Sequence, residues 1–279
     1  MVKTKTWFIT GASSGFGREL AAAIIAHGHQ VAVTARDPAA VEDFVNDFPL
    51  QAKAYALDVT RPESVQQAIH EARQDFGRLD IVVNNAGYGL IGALEECSDE
   101  QILRNIDTNF MGPLRVMRAA LPGFREQKGG HFINIGAAAA ISNYAGFSVY
   151  GGAKAGLELA SEAVAAEAAP FGVKVTMVIP GPFRTEFIAR SMERSGNSLP
   201  EYAPTAGKFR SFLEKVDGQQ PGDPAAAARA IIAISEAEKP PFRLVLGKYA
   251  YQKARRELDK ERAELDRWET VGQPTDFPA

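Results

Sequence analysis

The stretch WFITGASSGFGRELAAAIIAHG, residues 7–28, decides the fold because a glycine-rich turn joins an apolar strand to an apolar-periodic helix. Gly11, Gly15 and Gly17 allow a tight turn and let backbone N–H groups approach a pyrophosphate at the start of the helix. The helix macrodipole favours an anion at the same place. An ordinary strand-to-helix turn would also use glycine, but this context favours nucleotide binding.

The same alternation of short strands and longer helices continues along the chain. Seven apolar or β-branched runs are predicted as strands: TWFIT, VAVTA, AKAYAL, LDIVVNN, HFINIG, KVTMVI and FRLVLG. Several are apolar at nearly every residue, as is typical of a parallel sheet with helices on both faces. We therefore expect a doubly wound, Rossmann-like α/β fold of three layers with a seven-stranded parallel sheet.

We expect residues 1–279 to form a single domain with two additions to the regular pattern. Glycine, proline and polar residues interrupt the alternation in residues 183–223, which are predicted as a substrate loop. Residues 249–268 are predicted as a helical extension, because opposite charges recur four residues apart and apolar side chains share one stripe. The stripe consists of Tyr251, Ala254, Leu258, Leu265 and Trp268. Such a helix either docks on the body through a few side chains or forms an oligomer contact.

The composition is that of an ordinary soluble protein, with 46% hydrophobic residues, 23% charged residues and a net charge of -3. The mild acidity argues against binding to nucleic acid, and no apolar run reaches the roughly 18 residues that span a bilayer. The N-terminal residues MVKTKTWFITG enter a strand at once and leave no room for a signal peptide, so we expect a cytoplasmic protein. The single cysteine, Cys97, is predicted to be a packing residue, and no metal site is expected.

The spacing Gly-x-x-x-Gly-x-Gly is one residue longer than the standard dinucleotide fingerprint, and it resembles the short-chain dehydrogenase/reductase family. Further motifs of that family follow in order: LDVT at 57–60, NNAG at 84–87, Asn109 in NIDTNFMG, Tyr150-x-x-x-Lys154, and PGPFRT at 180–185. The stretch NNAGYGLIGALEE looks most like the branch that includes steroid and retinol dehydrogenases. The resemblance covers nearly the whole chain and implies an oxidoreductase that interconverts a carbonyl and an alcohol by hydride transfer.

The resemblance also implies a cofactor groove. Asp58 and Val59 would border the adenine, and Thr185 would hold the nicotinamide carboxamide. The residues expected to bind the cofactor are Gly11, Ser13, Ser14, Gly15, Phe16, Gly17, Arg36, Asp58, Val59, Asn85, Ala86, Gly87, Tyr150, Lys154, Pro180, Gly181 and Thr185.

The end of the second strand favours NADP(H) over NAD(H). Asp37, twenty residues after Gly17, has the spacing of an acid that binds the ribose 2′-hydroxyl, but Asp37 precedes Pro38 and is predicted to cap a helix instead. In the family the NAD-selecting acid stands at the position of Ala35, which carries no charge to repel a 2′-phosphate. Arg36 follows and can pair with that phosphate through its planar guanidinium.

Tyr150 and Lys154 are four residues apart in a predicted helix, so that both side chains project from one face. A neighbouring ammonium stabilises a phenolate and lowers the tyrosine pKa, which suits proton transfer to or from a substrate oxygen. By resemblance, Lys154 would also bind the nicotinamide ribose, and Asn109 would anchor a water that relays protons.

Relatives in this family carry a serine thirteen residues before the tyrosine, where this chain has Ala137. Losing one oxyanion donor typically costs roughly 2.7–4 kcal/mol of transition-state stabilisation. Ala137 is consistent with an introduced serine-to-alanine change, with a natural site that uses another donor, or with a protein that binds nucleotide without turnover. Ser142 and Ser148 are nearby, but neither has the expected offset.

The sequence therefore favours an NADP(H)-dependent oxidoreductase, with a non-catalytic NADP(H)-binding sensor or scaffold, or a lyase or isomerase, as alternatives. Apolar and aromatic side chains in residues 183–223 are consistent with an apolar or aromatic small-molecule substrate, although they could equally pack the loop's own helices. Relatives often pair through the helices equivalent to 99–126 and 144–170, so a homodimer or homotetramer is expected.

Overall fold

The computed structural model describes residues 4–277, so the outermost residues of the expected domain 1–279 lie outside the described part of the chain. This part of the chain contains nine strands. They are β1 (Thr6–Ile9), β2 (Gln30–Ala35), β3 (Ala52–Ala56), β4 (Ile81–Asn84), β5 (Gly89–Ile91), β6 (Gly130–Ile135), β7 (Val173–Pro180), β8 (Met192–Arg194) and β9 (Arg243–Leu246).

Seven of these strands form one parallel sheet in the order β3-β2-β1-β4-β6-β7-β9. They are the seven strands predicted from the sequence, and the predicted fold class is confirmed. The chain starts in the middle of the sheet and builds outward first on one side and then on the other. The strand order therefore reverses between β1 and β4, and a crevice opens there at the carboxyl ends of the strands.

Layers of helices cover both faces of this sheet, and residues 4–277 contain eleven α-helices in all. They are α1 (Gly15–Ala26), α2 (Glu42–Asp47), α3 (Pro62–Phe76), α4 (Asp99–Ile106), α5 (Gly112–Glu126), α6 (Ala138–Ile141), α7 (Ser148–Ala168), α8 (Phe187–Arg190), α9 (Lys208–Val216), α10 (Pro224–Glu236) and α11 (Lys248–Gly272). Among residues 4–277, no helix is both long and apolar enough to span a bilayer.

Two apolar cores result from the alternation of side chains along β1. Trp7 and Ile9 face the layer of α1, α2 and α10, whereas Phe8 faces the layer of α3, α5 and α7. All three side chains are fully buried. Successive residues of a strand point to opposite faces, so a strand buried on both sides must be apolar throughout.

The helix expected over residues 99–126 is divided in the structure. A π-helical turn, Asp107–Met111, separates α4 from α5 and contains Asn109. Pro113 follows directly and has no N–H to donate to the carbonyl four residues earlier, which is that of Asn109. The irregular turn is thus a consequence of the sequence Gly112-Pro113, and such turns often occur at functional sites.

A small second sheet, absent from the sequence analysis, pairs β5 with β8 in parallel. Gly89 lies opposite Met192 in this pairing, and a Cβ at Gly89 would lie 2.9 Å from the Met192 methyl group. The pairing fixes the beginning of the segment 183–223 beside the end of β4. Strands of three residues carry too little periodicity to be recognised from sequence.

A buried polar chain connects the sheet to α7. Asn84 Nδ2 donates to Asn134 Oδ1 at 2.8 Å, and Asn134 Nδ2 donates to Ser161 Oγ at 2.8 Å. Ser161 in turn donates to the Leu157 carbonyl at 2.6 Å. Asn134 and Ser161 are fully buried, so these bonds fix the position of α7 on the sheet.

Replacing Ser161 with alanine should lower the free energy of unfolding by about 1–3 kcal/mol, because a buried amide N–H of Asn134 loses its oxygen acceptor. Urea unfolding followed by circular dichroism measures this change. The exposed Ser148, on the same helix, provides the control: Ser148→Ala should change the free energy by less than about 0.5 kcal/mol. Equal effects of the two substitutions would contradict the role assigned to the polar chain.

Candidate active site

A cavity of about 1150 Å³ lies at the carboxyl ends of the parallel strands. It extends from the turn after β1, past the ends of β2, β3 and β4, to α7 and the segment that follows β7. Every site residue predicted from the sequence lines this cavity except Gly17, which lies behind the turn. The structure thus brings together residues that are up to about 170 positions apart in the sequence.

The turn after β1 has the backbone conformation that its glycines permit. Gly11 has φ of +70° and Gly15 has φ of +55°, in the region that disfavours other residues. A Cβ at Gly17 would lie 2.5 Å from Asn85 Nδ2, so the close packing of the turn on Asn85 requires glycine. Asn85 Nδ2 donates to the carbonyls of Gly11 at 2.8 Å and Thr10 at 3.0 Å, which ties the NNAG segment to the turn.

The beginning of α1 fits a phosphate group. Ser14 is its N-cap residue, but the Ser14 side chain makes no capping hydrogen bond. The first N–H groups of α1 therefore keep their hydrogen-bonding capacity for an anion, with the macrodipole adding attraction. Ser13, Ser14 and Gly15 all line the cavity here.

The end of the cavity at β2 and β3 has the charge distribution expected from the sequence. Asp37 Oδ1 accepts a hydrogen bond of 3.1 Å from the Ala39 N–H and caps a short 3₁₀ turn, so its carboxylate has a local partner. Ala35 is buried and Arg36 is exposed at the cavity edge. No acidic side chain occupies the position of Ala35 to oppose a phosphate beside Arg36.

Asp58 forms a compact turn at the same end. Its Oδ1 accepts from the Thr60 N–H at 2.9 Å and from Thr60 Oγ1 at 2.7 Å. Burial opposes ionisation, but the Thr60 hydrogen bonds and the charges of Arg36 and Arg61 outweigh it and lower the pKa of Asp58. The carboxylate is therefore ionised and held in a fixed orientation next to Val59.

Tyr150 and Lys154 lie on the first turns of α7 and are buried, with 6% and 4% of their surfaces exposed. Lys154 Nζ donates to the Ile135 carbonyl at 2.9 Å, which anchors the lysine to the end of β6. Burial raises the pKa of Tyr150 and lowers the pKa of Lys154 to about 8. The sequence predicted a lowered tyrosine pKa; in the polypeptide itself the loss of solvation at Tyr150 dominates.

Gly87 and Asn109 complete this end of the cavity. A Cβ at Gly87 would lie 3.3 Å from Lys154 Nζ and 2.5 Å from Asn109 Oδ1, so only glycine leaves room for both groups. Asn109 Nδ2 donates to the carbonyls of Tyr88 at 2.8 Å and Asn105 at 3.1 Å. Asn109 Oδ1 is buried without a protein partner and can accept a hydrogen bond from water near Lys154.

Ala137 occupies the second position after β6 on the cavity wall and packs in one apolar cluster with Tyr150. It has only 8% of its surface exposed, and its methyl group offers no hydrogen-bond donor. Neither Ser142 nor Ser148 lines the cavity. The neighbouring serines therefore do not replace the hydroxyl that relatives carry at this position.

Aromatic side chains enclose the cavity beside Tyr150. Phe147 packs edge-on against Tyr150, with ring centroids 5.1 Å apart, and Phe209 packs edge-on against Phe147 at 5.0 Å. Tyr144 stacks on Phe209 with centroids 4.7 Å apart, and its hydroxyl lies 2.8 Å from the Tyr249 hydroxyl. We call Tyr144, Phe147, Phe209 and Tyr249 the aromatic wall.

Of these four residues only Phe209 lies in residues 183–223, where the sequence predicts a substrate loop with aromatic side chains. The segment SNYAGF, just before α7, carries a recognisable aromatic signal for Tyr144 and Phe147. Tyr249 offers no such signal, because it lies about 100 residues away at the beginning of α11. Lys253, one turn further along, is buried and places its ammonium 3.3 Å from the centroid of the Tyr144 ring. This contact fixes α11 to the wall by a cation–π interaction.

Comparisons with known proteins agree with this arrangement. The sequence pattern of the short chain dehydrogenase family matches residues 5–195. Retinol dehydrogenase 8 of Bos taurus is 32% identical over 256 residues, which cover 86% of this chain and 80% of that protein. The crystal structure of a short-chain dehydrogenase from Streptomyces avermitilis is 42% identical, with a TM-score of 0.92, and covers 98% of this chain and 100% of that chain.

A further solved structure, the closed form of a serine dehydrogenase complexed with NADP+, is 27% identical with a TM-score of 0.74. It covers 86% of this chain and 94% of that chain. The family pattern, the glycine turn and the Tyr150–Lys154 pair at the strand ends together lead to one assignment. The chain belongs to the short-chain dehydrogenase/reductase family of oxidoreductases.

Proposed function

We propose that this protein is an NADP(H)-dependent oxidoreductase that interconverts a carbonyl and an alcohol. The observation that carries the proposal is the convergence of Tyr150, Lys154 and Asn109 at one end of a cavity whose other end is the glycine turn. The nicotinamide would supply or accept the hydride. The set of cofactor-binding residues inferred from the sequence is part of this proposal.

Tyr150 is the proposed proton donor to the substrate oxygen in the reductive direction and the acceptor in the oxidative direction. Its raised pKa keeps the phenol protonated near neutral pH, which suits donation. A positive charge on Lys154 stabilises the phenolate that remains after donation. Asn109 Oδ1 would hold a water that returns the proton by way of Lys154, and Lys154 would also bind the nicotinamide ribose.

Preference for NADP(H) is proposed from Ala35 and Arg36. A 2′-phosphate beside Arg36 would gain a charge-assisted hydrogen bond and would meet no carboxylate at position 35. The serine dehydrogenase structure was determined with NADP+, which supports the same choice by family likeness.

An apolar or aromatic substrate is proposed from the aromatic wall. Phe147 of the wall lies with its ring centroid 5.1 Å from that of Tyr150, and the other wall residues continue outward from Phe147. The partly buried Phe187, 5.9 Å from Tyr150, and Met192 extend this apolar surface. The name of retinol dehydrogenase 8 likewise points to an apolar alcohol, for that relative.

We further propose a cytoplasmic homodimer or homotetramer of a single 1–279 domain, in which residues 183–223 act as the substrate loop. Helix pairing through α4, α5 and α7 is the family-based expectation for assembly. The loop role is supported by the β5–β8 pairing, which places the start of this segment against the cavity.

Ala137→Ser tests the reaction chemistry. We expect kcat/KM for reduction of aromatic ketones by NADPH to rise about a hundred- to a thousandfold, because an added hydroxyl stabilises the developing negative charge on the substrate oxygen. Single-turnover oxidation of NADPH measures the effect, and NADPH binding by fluorescence should not change.

Ala140→Ser, three residues further and outside the cavity, is the matched control and should leave the rate unchanged. An active protein that does not respond to Ala137→Ser would have another oxyanion donor. If the unsubstituted chain and Ala137→Ser both bind NADPH and neither reduces the aromatic ketones, the sensor function replaces the proposed one. A product formed without NADPH oxidation would identify a lyase or isomerase.

Arg36→Ala should weaken NADPH binding about ten- to a hundredfold and leave NADH binding unchanged, because only NADPH carries the 2′-phosphate. Fluorescence titration with both nucleotides gives the ratio of the NADPH and NADH dissociation constants. Arg61→Ala removes a nearby charge that does not line the cavity and should change the ratio less than twofold. Equal weakening for NADPH and NADH would refute the phosphate contact.

Phe209→Ala should raise KM for aromatic ketones about three- to tenfold, since it removes the ring stacked on Tyr144, while NADPH affinity should stay constant. Steady-state kinetics gives KM for matched aromatic and acyclic aliphatic ketones, and the comparison separates an effect on aromatic substrates from an effect on ketones in general. Phe171→Ala, outside the cavity, is the control. An unchanged KM for the aromatic ketones would place the substrate elsewhere.

A further inference from the structure

Helix α11 divides into a docked part and a free part. Its first two turns hold Tyr249 and Lys253 against Tyr144. From Leu258 to Gly272 every residue is exposed, so about four turns, or roughly 22 Å, extend beyond the body of this chain. An isolated helix of this length is marginal in water unless one of its faces is covered.

The exposed part carries a heptad pattern that continues from the docked part. Positions 251, 254, 258, 261, 265 and 268 alternate in steps of three and four, and all except Glu261 are apolar. Leu258, Leu265 and Trp268 are 65%, 73% and 58% exposed. We call these six positions the seam. Large apolar side chains exposed in line on one helix face indicate a contact surface rather than scattered surface residues.

We propose that the four fully exposed seam positions, 258, 261, 265 and 268, bind the same four positions of a second copy of this chain as an antiparallel helix pair. In this arrangement Leu258 packs against Trp268 of the second copy, and Leu265 packs beside Glu261. The contact is distinct from the α4, α5 and α7 surfaces, and it does not depend on the proposed reaction.

Charges that flank the seam favour the antiparallel direction. In that arrangement the seam register places Arg255 opposite Glu269 of the second copy, and twofold symmetry forms this pair twice. A parallel pair would place Glu264 against Glu269 and Glu257 against Arg262 of the second copy, so that its flanking repulsion and attraction cancel. It would also bring the two copies of Glu261 together inside the seam, and this buried pair of carboxylates disfavours the parallel arrangement.

The centre of the antiparallel pair also accounts for Glu261. The two copies of Arg262 meet near the twofold axis, within reach of the two copies of Glu261, so acid and base are balanced at the only charged seam position. Glu264, which would meet its own copy on the opposite flank, is one turn from Lys260, and the two attract each other. The balance removes the need to bury an uncompensated carboxylate.

The charge count favours a protein partner over a lipid surface. Residues 251–272 contain six basic and six acidic side chains, for a net charge of zero. Helices that lie on anionic membranes carry an excess of Lys and Arg on the polar face. Interspersed charges of both signs are typical of paired helices.

The first test compares Leu265→Asp with Ala263→Asp in the full chain. Both add one carboxylate to the same exposed turn, but Ala263 lies on the face opposite the seam. Light scattering after gel filtration should show that Leu265→Asp halves the mass of the assembly and raises the dissociation constant about a hundredfold or more. Ala263→Asp should keep the mass of the unsubstituted chain. Circular dichroism and NADPH binding, expected to be equal in all three, confirm that each chain folds.

Charge exchange tests the direction. Arg255→Glu should weaken the association about tenfold or more, and the double variant Arg255→Glu with Glu269→Arg should restore it, because the exchange recreates both pairs. Sedimentation equilibrium gives the constants. Equal masses for the unsubstituted chain and Leu265→Asp overturn the proposal. Binding to phosphatidylglycerol vesicles that is lost on Leu265→Asp, with no difference in mass between the two chains, also overturns it. A loss of association on Leu265→Asp without any response to Arg255→Glu overturns the antiparallel direction.

Discussion

Parallel strands all end at the same edge of their sheet, and every group in the cavity depends on this constraint. The chain enters at β1, next to the central strand β4, and reverses its direction of growth before β4, so two series of loops diverge from one crevice. The glycine turn lies on one side of the reversal, and Tyr150 and Lys154 on the other. The buried bond between Asn134 and Ser161 makes the arrangement rigid, because it fixes the helix that carries both side chains.

The sequence predicts the parts of this protein that depend on local patterns. The seven strands follow from runs of apolar residues, and the cap at Asp37 follows from an acid before proline. Contacts between distant segments leave no such pattern: the β5–β8 pairing joins residues about 100 positions apart, as does the bond between the Tyr144 and Tyr249 hydroxyls. The π-helical turn is intermediate, since Gly112-Pro113 signals an irregularity but not its form.

Burial explains why the electrostatics of the site differ from the sequence expectation. Spacing alone places an ammonium near the Tyr150 phenol and suggests a lowered tyrosine pKa. The folded chain removes water from both groups, and this desolvation disfavours the charged form of each. The same dry environment strengthens any hydrogen bond made beside Tyr150, so the difference between a hydroxyl and the methyl group of Ala137 is larger here than it would be in water.

The aromatic wall is assembled from three separate segments: the loop before α7, helix α9, and the first turn of α11. None of these segments contributes to the glycine turn or to the lysine anchor on β6. Sequence change in the wall can therefore alter the shape of this end of the cavity without disturbing the glycine turn. Copies of such a chain can therefore differ in the shape of the cavity through the loop, α9 and the C-terminal helix alone, while the strand ends of the sheet stay the same.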